Sequence, residues 1–315
     1  MTDNRVVGVI LAAGKGSRIQ PLSMSYPKPL LPVCNKPIIQ HQLEDMKRVG
    51  IDEIIIVVGH LGEQIVARFG DGGSLGLKIR YVEQHAALGI AHAVAQLESV
   101  ITTPFLLSLG DIFIVPRHLE DMVTMFWQRK AGAILAVKRD TPEAIQRNFA
   151  VVLHASGTVT RVIEKPRYIP SNLKGCGVYL FELAIFDAIR RTPRTAQRDE
   201  YEITNSIQIM IEDGYPVYPA EVVEWDMNVT YPCDLLTCNQ RQLARMGVDS
   251  LVAPTAELHT GVRVRNSVIG ERVKITRPIA ITNSLLFADV TADASKDLTN
   301  MLITPEVAIE CQGEQ

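Results

Sequence analysis

The stretch "VVGVILAAGKGSRIQPLSMSYPKPLLPV" (residues 6–33) joins an apolar run to a glycine-rich turn and then to a series of prolines. The apolar run predicts a buried strand. Gly14 and Gly16 can adopt backbone conformations that turn consecutive N–H groups inward around an anion, and Arg18 adds a fork of donors suited to phosphate oxygens. The stretch therefore predicts a strand that ends in a phosphate-binding loop. The alternative is a tight turn with a solvent-facing arginine.

This loop differs from the two common nucleotide-binding motifs. A Rossmann fingerprint carries a third glycine where Ile19 stands, and a Walker A loop places its lysine after the second glycine, whereas Lys15 precedes Gly16. The prolines that follow predict that residues 20–33 are extended, which would carry Lys28 back across the loop to the same phosphates. Two cationic side chains, Arg18 and Lys28, and a loop of inward-turned backbone N–H groups are suited to binding a triphosphate that releases pyrophosphate.

The composition limits the class of protein. The 315 residues are 47% hydrophobic and 21% charged, enough for one large domain and a smaller one, and the formal net charge of -3 provides no basic field for nucleic acid or anionic lipid. The five cysteines contain no C-x-x-C pair, so neither a disulfide framework nor a zinc site is expected. The apolar run at residues 6–13 is too short to span a membrane. We therefore expect a soluble, cytoplasmic protein that binds small molecules, without a nucleic-acid or membrane partner.

Strand-like and helix-like segments alternate up to about residue 235. Apolar runs predict strands at residues 6–13, 53–59, 78–84, 104–111 and 131–138, and amphipathic segments predict helices at 38–50, 63–70, 89–100 and 117–130. A hairpin turning at residues 156–157, a strand at 177–182 and a helix at 202–214 follow. This alternation predicts an α/β fold with a Rossmann-like, doubly wound and mostly parallel sheet.

The pattern changes after about residue 250. Apolar residues fall six apart in two series: Ile269, Ile275, Ile281 and Phe287, and Val273, Ile279 and Leu285. A hexapeptide repeat is typical of a left-handed β-helix with about 18 residues per coil. We therefore predict a first domain at residues 1–248 and a short β-helix at 249–315 that forms homo-oligomers. The alternative is an antiparallel β appendage with accidental spacing.

The motif "LAAGKGSRIQPLSMSYPKPLLPVCNKPII" resembles the signature of the sugar-1-phosphate nucleotidylyltransferases, also called NDP-sugar pyrophosphorylases. The segments "EQHAALGIAHAV", "LGD", "VIEKP", "GCGVYLFE", "RDEYEIT" and "PCDLL" follow in that family's order, so the resemblance covers residues 6 to about 245. It implies a GT-A-like nucleotidyltransferase domain that transfers UMP or dTMP from an NTP to a sugar 1-phosphate, with Mg²⁺ as cofactor. The overall order looks most like long-form glucose-1-phosphate thymidylyltransferases and their uridylyl relatives.

The chemistry explains this choice of residues. A sugar 1-phosphate oxygen attacks the α-phosphorus in line while pyrophosphate leaves from the other side. The nucleophile is already an anion, with a second pKa of about 6, so no general base is required. Charge neutralisation and alignment should carry the catalysis.

The resemblance assigns roles residue by residue. It implies catalytic roles for Arg18, Lys28 and Lys165; nucleotide binding by Leu11, Ala12, Gly14, Gly16, Gln84 and Gly89; sugar-phosphate binding by Glu164, Lys165, Gly177, Tyr179 and Arg198; and metal binding by Asp111 and Asn228. The Gln84 amide can pair with the N3–H and O4 edge of uracil or thymine.

Some assignments stay open. Asp226 is a possible substitute for Asn228 as metal ligand. Ala150 and Cys176 depart from the family's usual residues near the sugar, so the sugar is not identified, and the segment "NVTYPCDLL" leaves UTP and dTTP as alternatives.

A catalytically silent regulatory subunit that binds nucleotide sugar is a second hypothesis for the function, although the loop keeps its arginine and lysine. A bifunctional enzyme with acyltransferase activity in the tail is a third, but its candidate imidazole, His259, precedes the regular repeats.

Overall fold

The computed structural model describes residues 5–196, 199–292 and 296–311. The chain divides into two compact units: the first comprises Met1–Gly14 and Gln42–Asp226, and the second comprises Lys15–His41 and Met227–Gln315, each in its described part. The second unit therefore takes in more of the chain than the predicted tail. Among the described residues, no helix is long and apolar enough to cross a membrane.

The strands preceding the tail are short to medium in length. They are β1 (Val7–Ala12), β2 (Pro32–Val33), β3 (Lys36–Pro37), β4 (Glu53–Val58), β5 (Lys78–Glu83), β6 (Phe105–Leu109), β7 (Ile112–Pro116), β8 (Ala133–Arg139), β9 (Phe149–Leu153), β10 (Val159–Glu164), β11 (Leu173–Phe181), β12 (Val217–Ala220) and β13 (Val223–Asn228). The helices are α1 (Leu22–Ser25), α2 (Ile38–Arg48), α3 (Gly62–Phe69), α4 (Ile90–Ala95), α5 (Glu120–Arg129), α6 (Pro142–Arg147), α7 (Ile185–Arg191), α8 (Ile203–Glu212) and α9 (Pro232–Met246).

The main sheet of the first unit has the order β10-β9-β11-β6-β1-β4-β5, with β8 paired to β11 and β12 paired to β8. Strands β6, β1, β4 and β5 run parallel, whereas β11 runs antiparallel to β6. The apolar runs of β1 and β4 are almost fully buried, as expected for parallel strands covered on both faces. The predicted α/β fold with a central parallel sheet is confirmed, but the sheet is mixed where a mostly parallel one was expected, because β11 pairs antiparallel with β6, β8 and β9, and β9 with β10.

Strand β1 lies at the point where the strand order reverses, because β4 pairs with it on one side and β6 on the other. In open α/β sheets, ligands bind outside the carboxyl ends of the strands at such a point. A Cβ atom on Gly59 would lie 2.8 Å from the Ala13 carbonyl oxygen, and one on Gly110 would lie 2.7 Å from that of Leu11. These glycines therefore allow the loops after β4 and β6 to approach the end of β1 closely.

The prediction that residues 20–33 are extended is wrong. The segment contains helix α1 and a 3-10 turn at Lys28–Leu30, joined by extended residues at Tyr26 and Pro27. The fixed φ of proline is compatible with the first residues of a helical turn as well as with extended chain. Pro21 precedes α1 and Pro29 lies inside the 3-10 turn, so the prolines shape two short turns.

The second unit holds this arm (residues 15–41) against α9 and the start of the tail. The Asn239 side chain accepts a hydrogen bond from the Cys34 N–H at 2.7 Å and donates one to the Pro32 carbonyl at 2.9 Å. The Asn35 amide donates to the Ile269 carbonyl at 2.8 Å. Asn239 is buried, so losing it would leave backbone groups of the arm without partners.

The described residues of the tail form eleven short strands. They are β14 (Leu251–Val252), β15 (Glu257–Leu258), β16 (Arg263–Arg265), β17 (Val268–Ile269), β18 (Lys274–Ile275), β19 (Ala280–Thr282), β20 (Leu285–Leu286), β21 (Thr291–Ala292), β22 (Leu298–Thr299), β23 (Met301–Ile303) and β24 (Ala308–Glu310). Strands β14-β17-β20-β23, β15-β18-β21 and β16-β19-β22 form three parallel sheets, and β24 pairs antiparallel with β23. The parallel pairing contradicts the antiparallel alternative.

The register of these sheets repeats every 17 residues instead of the expected 18. Val268 pairs with Leu285, and Leu285 pairs with Leu302. Asparagines 266, 283 and 300 occupy the left-handed region with φ of 45°, 50° and 57°, and the Asn266 amide donates to Asn283 Oδ1 at 2.7 Å. Asparagine tolerates this conformation better than most residues, so one asparagine marks the same corner of each turn. The hexapeptide class and the handedness stay predictions.

Cys233 and Cys311 form a disulfide with their Cα atoms 5.5 Å apart. Cys233 is the second residue of α9, and Cys311 follows β24. The expectation of no disulfide framework is therefore wrong for this pair. Spacing rules detect local cysteine motifs, whereas these two residues are 78 positions apart and meet only through the fold.

Candidate active site

The phosphate loop begins with Gly14, two residues after the end of β1 in the first unit. Gly14 is exposed, and a Cβ atom there would meet no atom within 4 Å. Packing within the chain therefore does not require a glycine at this position. Its neighbours Leu11 and Ala12 belong to β1, where the Leu11 carbonyl accepts a hydrogen bond from the Gly110 N–H at 2.9 Å.

The rest of the loop lies in the second unit, where Lys28 crosses Gly16. Gly16 has φ of +61°, and a Cβ atom on it would lie 2.8 Å from both Cγ and Cδ of Lys28. Lys28 is 8% exposed, whereas Arg18 is exposed. The aliphatic stem of Lys28 thus uses the space that the glycine leaves open, and the structure brings these two predicted residues together.

The predicted base-binding residues flank the loop between β5 and α4. Gln84 follows β5, and Gly89 precedes α4 with φ of +110°. A Cβ atom on Gly89 would lie 2.5 Å from the Tyr201 carbonyl oxygen. The Tyr201 backbone bonds on both sides of this glycine, accepting from the Ala91 N–H at 3.0 Å and donating to the Leu88 carbonyl at 2.8 Å. The close approach of Tyr201 is therefore one reason for glycine at position 89.

Asp111 occupies the turn between β6 and β7. The Gln42 Nε2 atom donates to the carbonyl oxygens of Leu109 and Ile112, each at 2.8 Å, and so fixes both ends of this turn. Gln42 is 5% exposed and lies on α2 among the buried residues Ile38, Ile39, Leu43 and Met46. Gln42 was not predicted from the sequence, although a polar residue within an apolar helix stripe is a detectable signal.

Asp226, the alternative metal ligand, is engaged in ion pairs in the first unit. Its two carboxylate oxygens accept from Lys174 Nζ at 2.8 and 2.7 Å, and Lys138 Nζ lies 3.0 Å from Oδ1. Asn228 ends β13 in the second unit, where its side-chain oxygen lies 3.5 Å from Thr230 Oγ1. Because both carboxylate oxygens of Asp226 accept hydrogen bonds from Lys174, these contacts favour Asn228 over Asp226 as the second metal ligand.

Asp140 completes a partly buried ion-pair cluster with Lys138, Lys174 and Asp226. Its carboxylate lies 3.0 Å from Lys138 Nζ and 2.8 Å from Lys174 Nζ. Burial acts to raise the pKa of Asp140, but hydrogen bonds from Lys174 and then Lys138 outweigh it and lower the pKa to about 2. Burial acts to lower the pKa of Lys174, and the paired carboxylates, first that of Asp226, reverse this and raise it.

Each of the two predicted metal ligands is of a type that suits a hard cation. Among the described residues, no group of three or more His, Cys, Asp or Glu side chains could hold a metal ion. Magnesium in phosphate-transfer sites is typically held by one or two protein oxygens together with phosphate oxygens. A carboxylate at Asp111 and an amide oxygen at Asn228 are ligands of this kind.

The predicted sugar-phosphate residues Glu164 and Lys165 lie at the end of β10. Lys165 Nζ lies 3.5 Å from Glu164 Oε1, and Thr204 Oγ1 donates to Glu164 Oε2 at 3.4 Å. Both residues line a cavity of about 410 Å³, together with Arg161, Val162, Ile163, Thr195, Glu202, Asn205, Gln208 and Glu212. A cavity walled by carboxylates, amides and a lysine can bind a polyhydroxylated ligand that carries a phosphate.

Tyr179 lies inside the core of the first unit. It is 2% exposed, and its ring stacks against Phe149 and Phe181 with centroids 6.0 and 5.5 Å away. Burial, followed by the nearby Glu164 carboxylate, raises the pKa of Tyr179 well above its ordinary value. The Tyr179 ring therefore contributes to the packing of the core. The carboxylate of Glu164, the predicted sugar-binding acid, contributes to the raised pKa of its hydroxyl.

Gly177 and Cys176 lie on β11, and Ala150 lies on the neighbouring strand β9. Gly177 has φ of +73°, and a Cβ atom there would lie 2.5 Å from Ile112 Cδ1. Ala150 and Cys176, the two departures from the family pattern, are 0% and 1% exposed, so both side chains fill the interior. Arg198 lies outside the described residues.

Two further residues near the base site were not found from the sequence. The Gln84 Nε2 and His92 Nδ1 atoms are 3.1 Å apart. The His92 ring stacks on that of Tyr201 with centroids 6.3 Å apart and planes inclined by 24°. Both belong to segments quoted for the family resemblance, but only the fold brings them together.

Comparisons with known proteins agree on one class. A sequence profile described as nucleotidyl transferase matches residues 7–227. The chain is 38% identical over 237 residues to the low-salt glycan biosynthesis nucleotidyltransferase Agl11 of Haloferax volcanii, covering 74% of this chain and 65% of Agl11. It is 34% identical to the UTP–glucose-1-phosphate uridylyltransferase AglF of the same organism, covering 74% of this chain and 95% of AglF.

A further sequence and a solved structure are also similar to this chain. The chain is 34% identical to the glucose-1-phosphate thymidylyltransferase of Streptomyces griseus, covering 97% of this chain and 83% of that protein. Among solved structures, a Bacillus anthracis protein assigned as a glucose-1-phosphate thymidylyltransferase, in complex with sucrose, is 28% identical with a TM-score of 0.68. That match covers 76% of this chain and 95% of the solved chain.

Proposed function

Because the chain belongs to the nucleotidyl transferase family, we propose that it transfers a uridylyl or thymidylyl group from an NTP to a sugar 1-phosphate such as glucose 1-phosphate. The products are an NDP-sugar and pyrophosphate. The names of AglF and the Streptomyces griseus protein supply the two nucleotides and the sugar phosphate. The observation that carries the proposal is the folding of Lys28 across Gly16.

Arg18, Lys28 and the glycines act on the triphosphate. An oxygen of the sugar phosphate attacks the α-phosphorus, forming a new P–O bond, while the bond to the β-phosphate oxygen breaks and pyrophosphate leaves with that electron pair. Lys28 and Arg18 neutralise the charge that accumulates on the leaving group. The open space at Gly14 supports close approach of phosphate to the backbone, with Leu11 and Ala12 as its neighbours.

Mg²⁺, held by Asp111 and Asn228, would neutralise phosphate oxygens when bound. The turn that carries Asp111 is fixed by Gln42, which supports a preorganised carboxylate. We infer that Asn228 is the second ligand, because both oxygens of Asp226 accept hydrogen bonds from Lys174.

The sugar phosphate is bound by Lys165, whose ammonium pairs with its phosphate, and by Glu164, whose carboxylate accepts from sugar hydroxyls. Gly177, Tyr179 and Arg198 complete the assignment that the family resemblance implies. Gln84 and Gly89 bind the base.

We further propose that the three parallel sheets of residues 249–315 form a left-handed β-helix that mediates a homo-oligomer. Short β-helices expose flanks suited to packing against copies of themselves. Light scattering on the full chain tests this: a dimer or larger species is expected, and a monomer at micromolar concentration would contradict it.

The reaction is tested with a matrix of NTPs and sugar 1-phosphates in the presence of Mg²⁺, with pyrophosphate release as the readout. Turnover with UTP or dTTP and at least one sugar 1-phosphate is expected. Nucleotide-sugar binding without turnover for any pair would favour the silent regulatory subunit instead.

A further inference from the structure

Strand β13 ends at the proposed metal ligand Asn228, and two residues earlier it carries Asp226, whose ion pairs the proposed reaction does not use. The side chains of Asp226 and Lys174 are each 4% exposed. Both Asp226 carboxylate oxygens accept from Lys174 Nζ, at 2.8 and 2.7 Å, and Lys138 Nζ lies 3.0 Å from Oδ1. Three contacts from two lysines therefore fix the position of this carboxylate.

The two lysines stand directly opposite each other on neighbouring strands. Lys174 of β11 pairs with Lys138 of β8 in the antiparallel register. Like charges in this arrangement repel each other, so the lysines need carboxylates beside them. Asp140, which follows β8, supplies one carboxylate, and Asp226 supplies the other. Of these four residues, only Asp226 comes from β13, so the cluster ties β13 to β8 and β11.

The part of β13 that belongs to the first unit is also fixed along its length. The strand pairs with β7, and the Arg117 N–H donates to the Val222 carbonyl at 2.9 Å, just before β13 begins. The Trp225 ring packs against Phe113, with centroids 5.5 Å apart. These contacts and those of Asp226 hold the strand up to the residue two positions before its end. Residues two apart in a strand share a face and lie about 6.6 Å apart along it, so the position of Asp226 limits where the end of the strand can lie.

The energetics of the Lys174–Asp226 pair favour a role beyond stability. Removing two charges from water costs free energy that their attraction often does not repay, and apolar replacements of similar volume are often neutral or stabilising. What such a pair provides is a defined geometry, because charge-assisted hydrogen bonds are short and directional. The pair is therefore suited to holding β13 in a single position.

We propose that Asp226 and Lys174 are positioning residues that hold the end of β13 so that the Asn228 amide oxygen can coordinate Mg²⁺. The proposal rests on the proposed function. Magnesium demands near-ideal octahedral geometry, so a small displacement of one ligand weakens its binding. Groups that orient a metal ligand typically change metal affinity or activity by about 10- to 100-fold when they are lost.

A charge-balanced double variant tests the role of the pair. Lys174→Met with Asp226→Leu, the cluster variant, removes one charge of each sign and leaves Lys138 and Asp140 paired at 3.0 Å. No uncompensated charge remains in the cluster. Asp226→Asn, which keeps the shape of the side chain and one carbonyl oxygen, is the second variant in case the cluster variant does not fold. We expect a smaller loss of the same kind in Asp226→Asn.

A second ion pair on the same segments provides the matched control. Arg139 at the end of β8 lies 3.2 Å from Glu221, two residues before β13, and both side chains are exposed. Arg139→Gln with Glu221→Gln removes this pair at the end of β13 that is remote from Asn228. We expect this control to behave like the wild type in every measurement.

The readouts are the affinities for UTP and dTTP, measured by calorimetric titration in EDTA and in Mg²⁺, and the Mg²⁺ concentration for half-maximal activity. Thermal melting in EDTA checks folding. We expect the cluster variant to bind nucleotide like the wild type in EDTA and to lose most of the affinity that Mg²⁺ adds in the wild type. It should also need about tenfold more Mg²⁺ for half-maximal activity. A wild-type gain from Mg²⁺ in this variant, or equal losses of affinity in EDTA and in Mg²⁺, would overturn the proposal.

Asn228→Ala separates positioning from direct coordination of the metal by Asp226. If Asp226 acts through Asn228, replacing the pair in an Asn228→Ala background should change the gain from Mg²⁺ by less than about twofold, because no amide oxygen remains to be positioned. Losses of the same size in both backgrounds would mean that Asp226 contacts the metal independently, which would overturn the proposal.

Failure of this proposal is distinguishable from failure of the proposed function. If the wild type releases no pyrophosphate with any substrate pair, the reaction is wrong, but the calorimetric comparison still tests the positioning role. Nucleotide binding that Mg²⁺ strengthens in the wild type but not in the cluster variant would support it. Nucleotide binding by the wild type that Mg²⁺ does not strengthen would overturn it.

Discussion

The ring of Tyr26 packs edge-on against the ring of Phe287, with 5.3 Å between centroids. The Tyr26 hydroxyl also donates to Glu306 at 3.4 Å, and burial followed by that carboxylate raises the pKa of Tyr26 to about 12. Tyr26 lies on the arm between Arg18 and Lys28, whereas Phe287 and Glu306 belong to the tail. The tail therefore supports the segment that carries the two proposed triphosphate cations.

This contact predicts that Tyr26→Ala weakens NTP binding. An edge-on aromatic pair contributes about 0.5–1.5 kcal/mol beyond its buried area, so we expect KM for the NTP to rise about three- to tenfold with KM for the sugar phosphate little changed. Tyr26→Phe keeps the ring and should behave like the wild type. Steady-state kinetics with each substrate varied in turn measures this, and identical constants for the two variants would argue against it.

Gln42 should control the turn that carries Asp111. In Gln42→Leu, the carbonyl groups of Leu109 and Ile112 lose their donor, at a cost of about 1–3 kcal/mol in the free energy of unfolding. We also expect a higher Mg²⁺ concentration for half-maximal activity, because Asp111 is less well positioned. Urea unfolding and a magnesium titration measure the two effects. Gln146→Leu, at an exposed position on α6, is the control, and an unchanged magnesium requirement in Gln42→Leu would contradict the positioning.

The ion-pair cluster predicts a specific acid dependence. The folded pKa of Asp140 is about 2 against an ordinary 3.8, so its contribution is present above 3.8 and is lost as pH falls towards 2. Asp140→Asn should therefore cost on the order of 2 kcal/mol at pH 6 and progressively less as the solution is acidified. Urea unfolding of both proteins across this range provides the difference. A difference that does not vary with pH would show that the cluster does not act through the charge of Asp140.

The disulfide predicts a redox effect on stability. A link between residues 78 positions apart removes loop entropy from the unfolded chain worth about 4.5 kcal/mol in the chain-entropy treatment. We expect Cys233→Ser and Cys311→Ser to unfold at lower temperature, and reductant to lower the melting temperature of the wild type but not of the variants. Alkylation of the unreduced, denatured protein should label three cysteines, Cys34, Cys176 and Cys238. Labelling of all five would mean that the pair does not form.

The sequence was informative where patterns are local. Apolar runs located β1, β4, β5, β6 and β8 to within one or two residues. Strands β1, β4 and β6 are almost fully buried, which excludes charge from most of their length. The tail was located from its apolar spacing, but the 17-residue register was visible only in "NSVIG", "NSLLF" and "NMLIT", which start at 266, 283 and 300.

The rest depended on contacts between distant residues. Proline fixes φ without choosing between an extended arm and a helical turn, so the path of residues 20–33 could not be predicted from proline content alone. Gln42 donates hydrogen bonds within the turn that carries Asp111. His92 contacts Gln84, and the Tyr201 backbone packs closely against Gly89. These contacts exist only in the folded chain. The Cys233–Cys311 disulfide likewise joins residues that meet only in the folded chain.

The measurement that tests the central claim most directly compares pyrophosphate release by the wild type and by Lys28→Met, with Mg²⁺, glucose 1-phosphate, and UTP or dTTP. Methionine keeps an unbranched stem to lie across Gly16 and removes only the ammonium group. The account predicts wild-type release that requires both substrates, and a fall in kcat of about 100-fold or more in the variant, the effect of removing one preorganised group that stabilises developing charge. Equal rates in the two proteins would contradict it.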